Sequence, residues 1–196
     1  MPNPGKKRPS VKGQEMKLLK WAALALLVLC AFLFGFLSSS VDSASPGSAA
    51  SDLEWAQRQG FLKEGVEPDK PITQAEFLHG VMKRYGEWQT GLAVPRGAEN
   101  HWAADVYALA KGKGVVDCSC QIKPDEPITT EEAVKFIMLG INSKANKPLT
   151  SFEEVQSWIK QDKEALVTYQ DAATLIRKMD GLYRYHKLIP QEENAS

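Results

Sequence analysis

Pro124–Asp125–Glu126–Pro127–Ile128–Thr129–Thr130–Glu131–Glu132 is the stretch on which the reading of this chain turns, because the chain writes it more than once. An earlier copy stands at Pro68–Asp69–Lys70–Pro71–Ile72–Thr73–Gln74–Ala75–Glu76, and a worn one at Val167–Thr168–Tyr169–Gln170–Asp171. Self-similarity at this spacing is the mark of a repeat architecture. Thr73 and Thr129 are placed to cap helices, their hydroxyls accepting from N–H groups that a helix start leaves unpaired. Glu76 and Glu132, three residues on, complete a capping box. Thr168 and Asp171 keep the spacing, with a shorter carboxylate arm. Pro71 and Pro127 hold the chain extended just ahead of the cap.

The residues that follow are spaced for one buried helix stripe. Leu78, Val81, Met82 and Tyr85 in the first copy match Val134, Ile137, Met138 and Ile141 in the second, both at i, i+3, i+4, i+7. The third copy offers Ala172, Leu175, Ile176 and Met179, a register displaced by one residue, and reads as degenerate.

Working outward, three units emerge, at 53–86, 101–142 and 151–183. The first opens with a short helix from Leu53 that Gly60 stops, and the second from His101 with a stop at Gly114. The third opens at Ser151, which caps towards Glu154, with Phe152, Val155, Trp158 and Ile159 on its first helix. A single unit of this size cannot bury its apolar stripe, so the three are expected to pack together. No alternation is long enough for a sheet, which makes the expected class all-α.

Ahead of these units the character changes. Residues 1–20, a basic head, carry six lysines and arginines against one glutamate, whereas residues 38–196 carry 18 basic and 23 acidic side chains. Between them Trp21–Leu37 is free of charge. With Leu18, Leu19 and a snorkelling Lys20 it reaches the length of a membrane-spanning helix. The positive flank then lies in the cytoplasm, giving a single-pass membrane protein with its C-terminal part outside. The rival readings are a cleaved signal peptide and a lipoprotein built on Cys30. The apolar stretch is long for the first, and Leu29 is bulky where the second wants a small residue. Residues 38–52 hold seven serines and form a linker with no fixed structure. The acidic balance of the body argues against a nucleic-acid partner.

Cys118 and Cys120 form a C-x-C pair that could bridge, closing a very small ring, or remain as thiols; two thiolates alone make a poor zinc site. His79, His101 and His186 stand in separate contexts without ligand spacing. No metal, cofactor, nucleophile elbow or phosphate loop is indicated, and no pair of carboxylates is set up for glycosidic chemistry, so the chain does not read as an enzyme.

The unit resembles the S-layer homology domain of bacterial cell envelopes. His101–Trp102–Ala103, Leu109, Gly114–Val115–Val116 and Pro124 through Glu132 carry the likeness in the second unit. Trp55–Ala56, Gly60–Phe61–Leu62 and Pro71 through Phe77 carry it in the first, and Phe152, Trp158 and Val167–Thr168 in the third. The resemblance implies three units around a pseudo-threefold axis, with cell-wall polysaccharide held non-covalently in grooves between them. The positions of the family's glycan-contacting arginine read Gln74, Thr130 and Tyr169 here. As glycan-binding residues the likeness offers Trp102, Thr73, Glu76, Thr129 and Glu132. The threonines and glutamates read first as helix caps and Trp55, Trp102 and Trp158 first as core packing, with Trp102 the best placed of the three to stack on a sugar. The expected function is non-catalytic envelope attachment by binding wall polysaccharide. The alternative is a protein–protein scaffold at the envelope that has lost glycan binding.

Overall fold

The computed structural model describes residues 49–189, and this part is all-helical, with no strand among the described residues. Its helices are α1 (Ala49–Arg58), α2 (Gln74–Tyr85), α3 (Ala104–Gly112), α4 (Thr130–Ala145), α5 (Phe152–Gln156) and α6 (Tyr169–Tyr185), with a 3-10 turn at Ser119–Gln121. The basic head, the proposed span Trp21–Leu37, linker residues up to 48 and the tail from Gln191 lie outside the described residues. Among those described, no helix is long and apolar enough to cross a membrane.

The three capped starts organise everything else. Thr73, Thr129 and Thr168 each accept from the backbone N–H three residues on, and Glu76, Glu132 and Asp171 each reach back to the cap N–H. The shorter Asp171 arm makes the closest of these boxes, Thr168 N–H to carboxylate 3.0 Å, against 3.4 Å and 3.2 Å for the glutamates. Aspartate therefore completes the box as fully as glutamate. Each cap contributes about 1 kcal/mol.

A cap satisfies only one of the first N–H groups of a helix; the others find partners in neighbouring units. Just ahead of the caps, Ile72 N–H donates to Val167 C=O at 2.9 Å, Val167 N–H to Ile128 C=O at 3.0 Å, and Ile128 N–H to Ile72 C=O at 3.1 Å, which closes a ring. One step on, Gln74, Thr130 and Tyr169 donate to Glu126, Ala165 and Lys70, at 2.9, 2.8 and 3.1 Å. A second step on, Ala75, Glu131 and Gln170 donate to Pro124, Lys163 and Pro68, at 3.1, 3.0 and 3.0 Å. The three extended segments thus serve as the missing first turns of one another's helices. Isolated antiparallel bridges mark the same meeting points, Pro71 with Thr168, Thr73 with Pro127 and Thr129 with Leu166. The side chains of Ile72, Ile128 and Val167 are wholly buried there, each stabilising by about 1.5–3 kcal/mol.

Packing follows the same cyclic order. The long helices α2, α4 and α6 touch pairwise, while α1 lies on α6, α3 on α2 and α5 on α4. Each short helix therefore covers the long helix of another unit. The one-residue displacement expected for the third copy disappears in this packing. Counted from its cap, every long helix buries the same four positions: Phe77, Leu78, Gly80 and Val81; Ala133, Val134, Phe136 and Ile137; Ala172, Ala173, Leu175 and Ile176. The buried face is wider than a single stripe, so a stripe drawn along either edge looks shifted. Met138, expected in the stripe, is only partly buried. Gly80 lets α2 approach closely, since a Cβ there would lie 2.8 Å from both the Phe61 carbonyl oxygen and Ile176 Cδ1. Lower in the α2–α6 seam, Arg84 pairs with the buried Asp180 at 2.5 Å.

Several boundaries differ from those read along the sequence. Helix α1 begins at Ala49, inside the stretch 38–52 expected to lack structure. Ala49 and Ala50 favour helix, and Asp52 complements its first turn and accepts from Thr174 Oγ1 at 3.3 Å. Helices α4 and α6 run on to Ala145 and Tyr185, beyond the ends drawn at 142 and 183. In the third unit α5 stops at Gln156, leaving Trp158 and Ile159 in the following turn. The two glycine stops are near-copies of one another. Phe61 and Leu62 N–H both reach Ala56 C=O, at 2.8 and 3.3 Å, and Val115 and Val116 N–H both reach Ala110 C=O at the same two distances. Gly60 and Gly114 adopt φ of +66° and +72°, the left-handed turn that glycine allows without penalty.

Candidate functional site

At the mouth of the first seam lies a groove of about 610 Å³. Thr73, Glu76 and His79 line it from the start of α2, Lys63 and Lys70 from the loop before, Trp102 and Asp125 from the second unit, and Tyr169 from the third. Sequence reading singled out Thr73, Glu76 and Trp102 separately, and the fold brings them together. Thr129 and Glu132 lie instead in another groove, of about 260 Å³, with Gln74, Lys123, Glu126, Pro127 and Glu131.

Trp102 is 63% exposed, unlike the two tryptophans that open the other units. Trp55 lies under the Arg177 guanidinium, 4.3 Å from the ring centroid, and against Phe61. Trp158 lies near the Lys178 ammonium at 5.8 Å. Both are partly buried against the core, in keeping with a packing role.

Two histidines flank Trp102, with ring centroids at 5.9 Å for His79 and 5.3 Å for His101. His101 Nδ1 accepts from the Ala103 N–H at 3.2 Å, which leaves Nε2 to donate to Asp125 at 3.2 Å. This fixes the tautomer and ties the tryptophan's neighbour to the repeated motif. Burial, and secondarily the nearby Lys83, holds the His79 imidazole below its ordinary value. It therefore faces the groove uncharged at neutral pH. Neither histidine was offered as a binding residue from the sequence, although His79 follows Thr73 and Glu76 at successive steps of three, a spacing that places it on their face of the helix. No such signal links His101 to Asp125.

The first groove is balanced in charge, Lys63 and Lys70 against Glu76 and Asp125. In the second, Lys123 stands against Glu126, Glu131 and Glu132, and pairs with Glu126 at 3.0 Å. Glu76 is already engaged by its cap, and burial together with that carboxylate raises the Tyr169 hydroxyl above its usual pKa. Besides the capped Glu76, the first groove presents the Trp102 face, the Asp125 carboxylate, of which His101 engages one oxygen, and the two lysines. Such a set suits a polyhydroxylated ring, which offers a C–H face to an indole and hydroxyls to carboxylates and ammonium groups.

The positions matching the motif arginine face inward. Gln74 is 1% exposed, and its Oε1 accepts from the Tyr107 hydroxyl at 2.8 Å and the Lys123 N–H at 2.9 Å. Its Nε2 donates to Gln121 C=O at 2.8 Å. Thr130 Oγ1 donates to Ala165 C=O at 3.1 Å and meets Gln161 Oε1 at 3.2 Å. These side chains sew the seams between units. Just before the loop gripped by Gln74, Cys118 and Cys120 are joined in a disulfide. Among the described residues, no group of three or more His, Cys, Asp or Glu gathers to hold a metal ion. Compared with known proteins, the chain matches no family model and no curated protein significantly.

Proposed function

We propose that residues 49–189 are three repeats of the S-layer homology type around a pseudo-threefold axis, and that the groove at Trp102 binds a cell-wall polysaccharide. Trp21–Leu37 would hold the chain in the membrane with this body outside, so that it links membrane to wall without catalysing a reaction. The observation that carries this reading is the exposed Trp102, set beside Thr73, Glu76, Asp125 and Tyr169 from all three units in one groove. The closed rings of backbone hydrogen bonds support the threefold arrangement. With Gln74, Thr130 and Tyr169 committed to the seams, the grip on a glycan falls to the indole face and to Asp125, Lys63 and Lys70, rather than to a guanidinium fork.

A fragment of residues 45–196, which carries all six described helices, serves for the test. Incubated with purified wall sacculi, this fragment is expected to co-sediment, and a Trp102→Ala variant to remain in the supernatant. Equal sedimentation with and without sacculi removes the glycan role. The alternative scaffold reading draws on the burial of the motif positions. It expects a protein partner captured by crosslinking in membranes stripped of wall polymer.

A further inference from the structure

The Cys118–Cys120 bridge has no evident structural task. Stabilisation by a disulfide grows with the loop it closes, and this one encloses only Ser119. Both cysteines are exposed. The segment they head is nonetheless tightly held. Asp117 pairs with Lys135 at 2.9 Å on one side. On the other, Gln121 C=O and Lys123 N–H are the two backbone partners of the Gln74 side chain, whose third partner is the Tyr107 hydroxyl. Ile122 between them is buried and lies against Gly97. A bridge that adds little to the fold therefore sits beside the hydrogen bonds joining the first unit to the second.

We propose that Cys118–Cys120 is a thiol–disulfide exchange site for an external dithiol, and that its reduction loosens the loop gripped by Gln74. The contacts give the reaction a direction. The Cys120 N–H donates to Cys118 Sγ at 3.2 Å, so the sulfur best able to leave as a thiolate is that of Cys118. An incoming thiolate attacks Cys120 Sγ; the new S–S bond forms there as the Cys118–Cys120 bond breaks, and the electron pair departs on Cys118. The second thiol of the dithiol, deprotonated in turn, attacks its own sulfur in the mixed disulfide and releases Cys120 as a thiolate. The dithiol leaves as a disulfide, having given up two electrons and two protons, and the protein holds two thiols. This inference does not depend on the glycan reading.

The test uses the full chain purified without reductant, treated with dithiothreitol under native conditions, alkylated and mapped by peptide mass. Cys118 and Cys120 are expected to become alkylated together while helical content and Tm stay unchanged. Reduction only after unfolding, or loss of helicity on reduction, overturns the exchange site. With reduced glutathione and an acid quench, the mixed disulfide of the parent chain is expected on Cys120. Cys118→Ser is loaded instead with oxidised glutathione, so that the Cys120 thiolate displaces one glutathione as its thiolate. Its Cys120 adduct should persist at least about tenfold longer than in the parent chain, because no neighbouring thiol resolves it. An adduct confined to Cys118 overturns the assigned direction. Hydrogen exchange reads the coupling: protection of the Lys123 amide should fall by about tenfold on reduction, and unchanged protection overturns the link to Gln74.

Discussion

The two grooves are built on the same local plan and finished differently. In each, a threonine cap and its glutamate start a long helix, and the first helical residue of another unit closes the floor: Tyr169 in one, Gln74 in the other. The first groove gains an exposed indole, His79 in its wall and a balanced charge. The second is smaller, lined by an excess of carboxylates and without an aromatic ring. The cap plan builds a seam, and what the neighbouring unit presents over the seam gives it chemistry. A repeated motif thus predicts repeated structure without predicting repeated binding.

The largest effect expected from disturbing this pair lies on the seam side. Gln74→Ala strands the Tyr107 hydroxyl, the Lys123 N–H and the Gln121 carbonyl, and should destabilise the body by about 3 kcal/mol in chemical denaturation. A loss under about 1 kcal/mol would mean that water replaces the amide and that Gln74 is no hub. Next, Trp102→Ala should weaken wall-glycan binding by about tenfold or more while shifting stability by less than about 0.5 kcal/mol, since the ring is mostly exposed. Comparable losses of both would return Trp102 to the core.

Glu76→Ala and Glu132→Ala sharpen the contrast directly. Each removes half of a capping box and should cost about 1 kcal/mol. Only the first should also alter binding, because only Glu76 lies in the Trp102 groove. Equal effects on binding would make the grooves equivalent.

The smallest expected effect is a pH dependence. His79 is held below its usual value of 6.5, so the folded body takes up a proton less readily than the unfolded chain. Stability present above that value should therefore decline as pH falls through the folded pKa, and His79→Gln should flatten that part of the profile. An identical acid limb in the variant would assign the decline to other groups.

Much of this was legible along the chain because it is local. Thr73 with Glu76, Thr129 with Glu132 and Thr168 with Asp171 interact within one turn, and Gly60 and Gly114 stop their helices through bonds five and six residues back. Such features depend on short-range sterics and hydrogen bonding, which residue order encodes directly. The all-helical class was legible from such features, whereas Trp102, Thr73 and Glu76 entered as binding candidates through the family likeness. What was not legible depends on distant contacts. The inward turn of Gln74 and Thr130, the partnership of His101 with Asp125, and the division of the five candidate residues between two grooves were decided only when three extended segments bonded in a ring. That closure sets which carbonyl reaches which helix start and which side chain is sealed from water, and no spacing within a single unit specifies it.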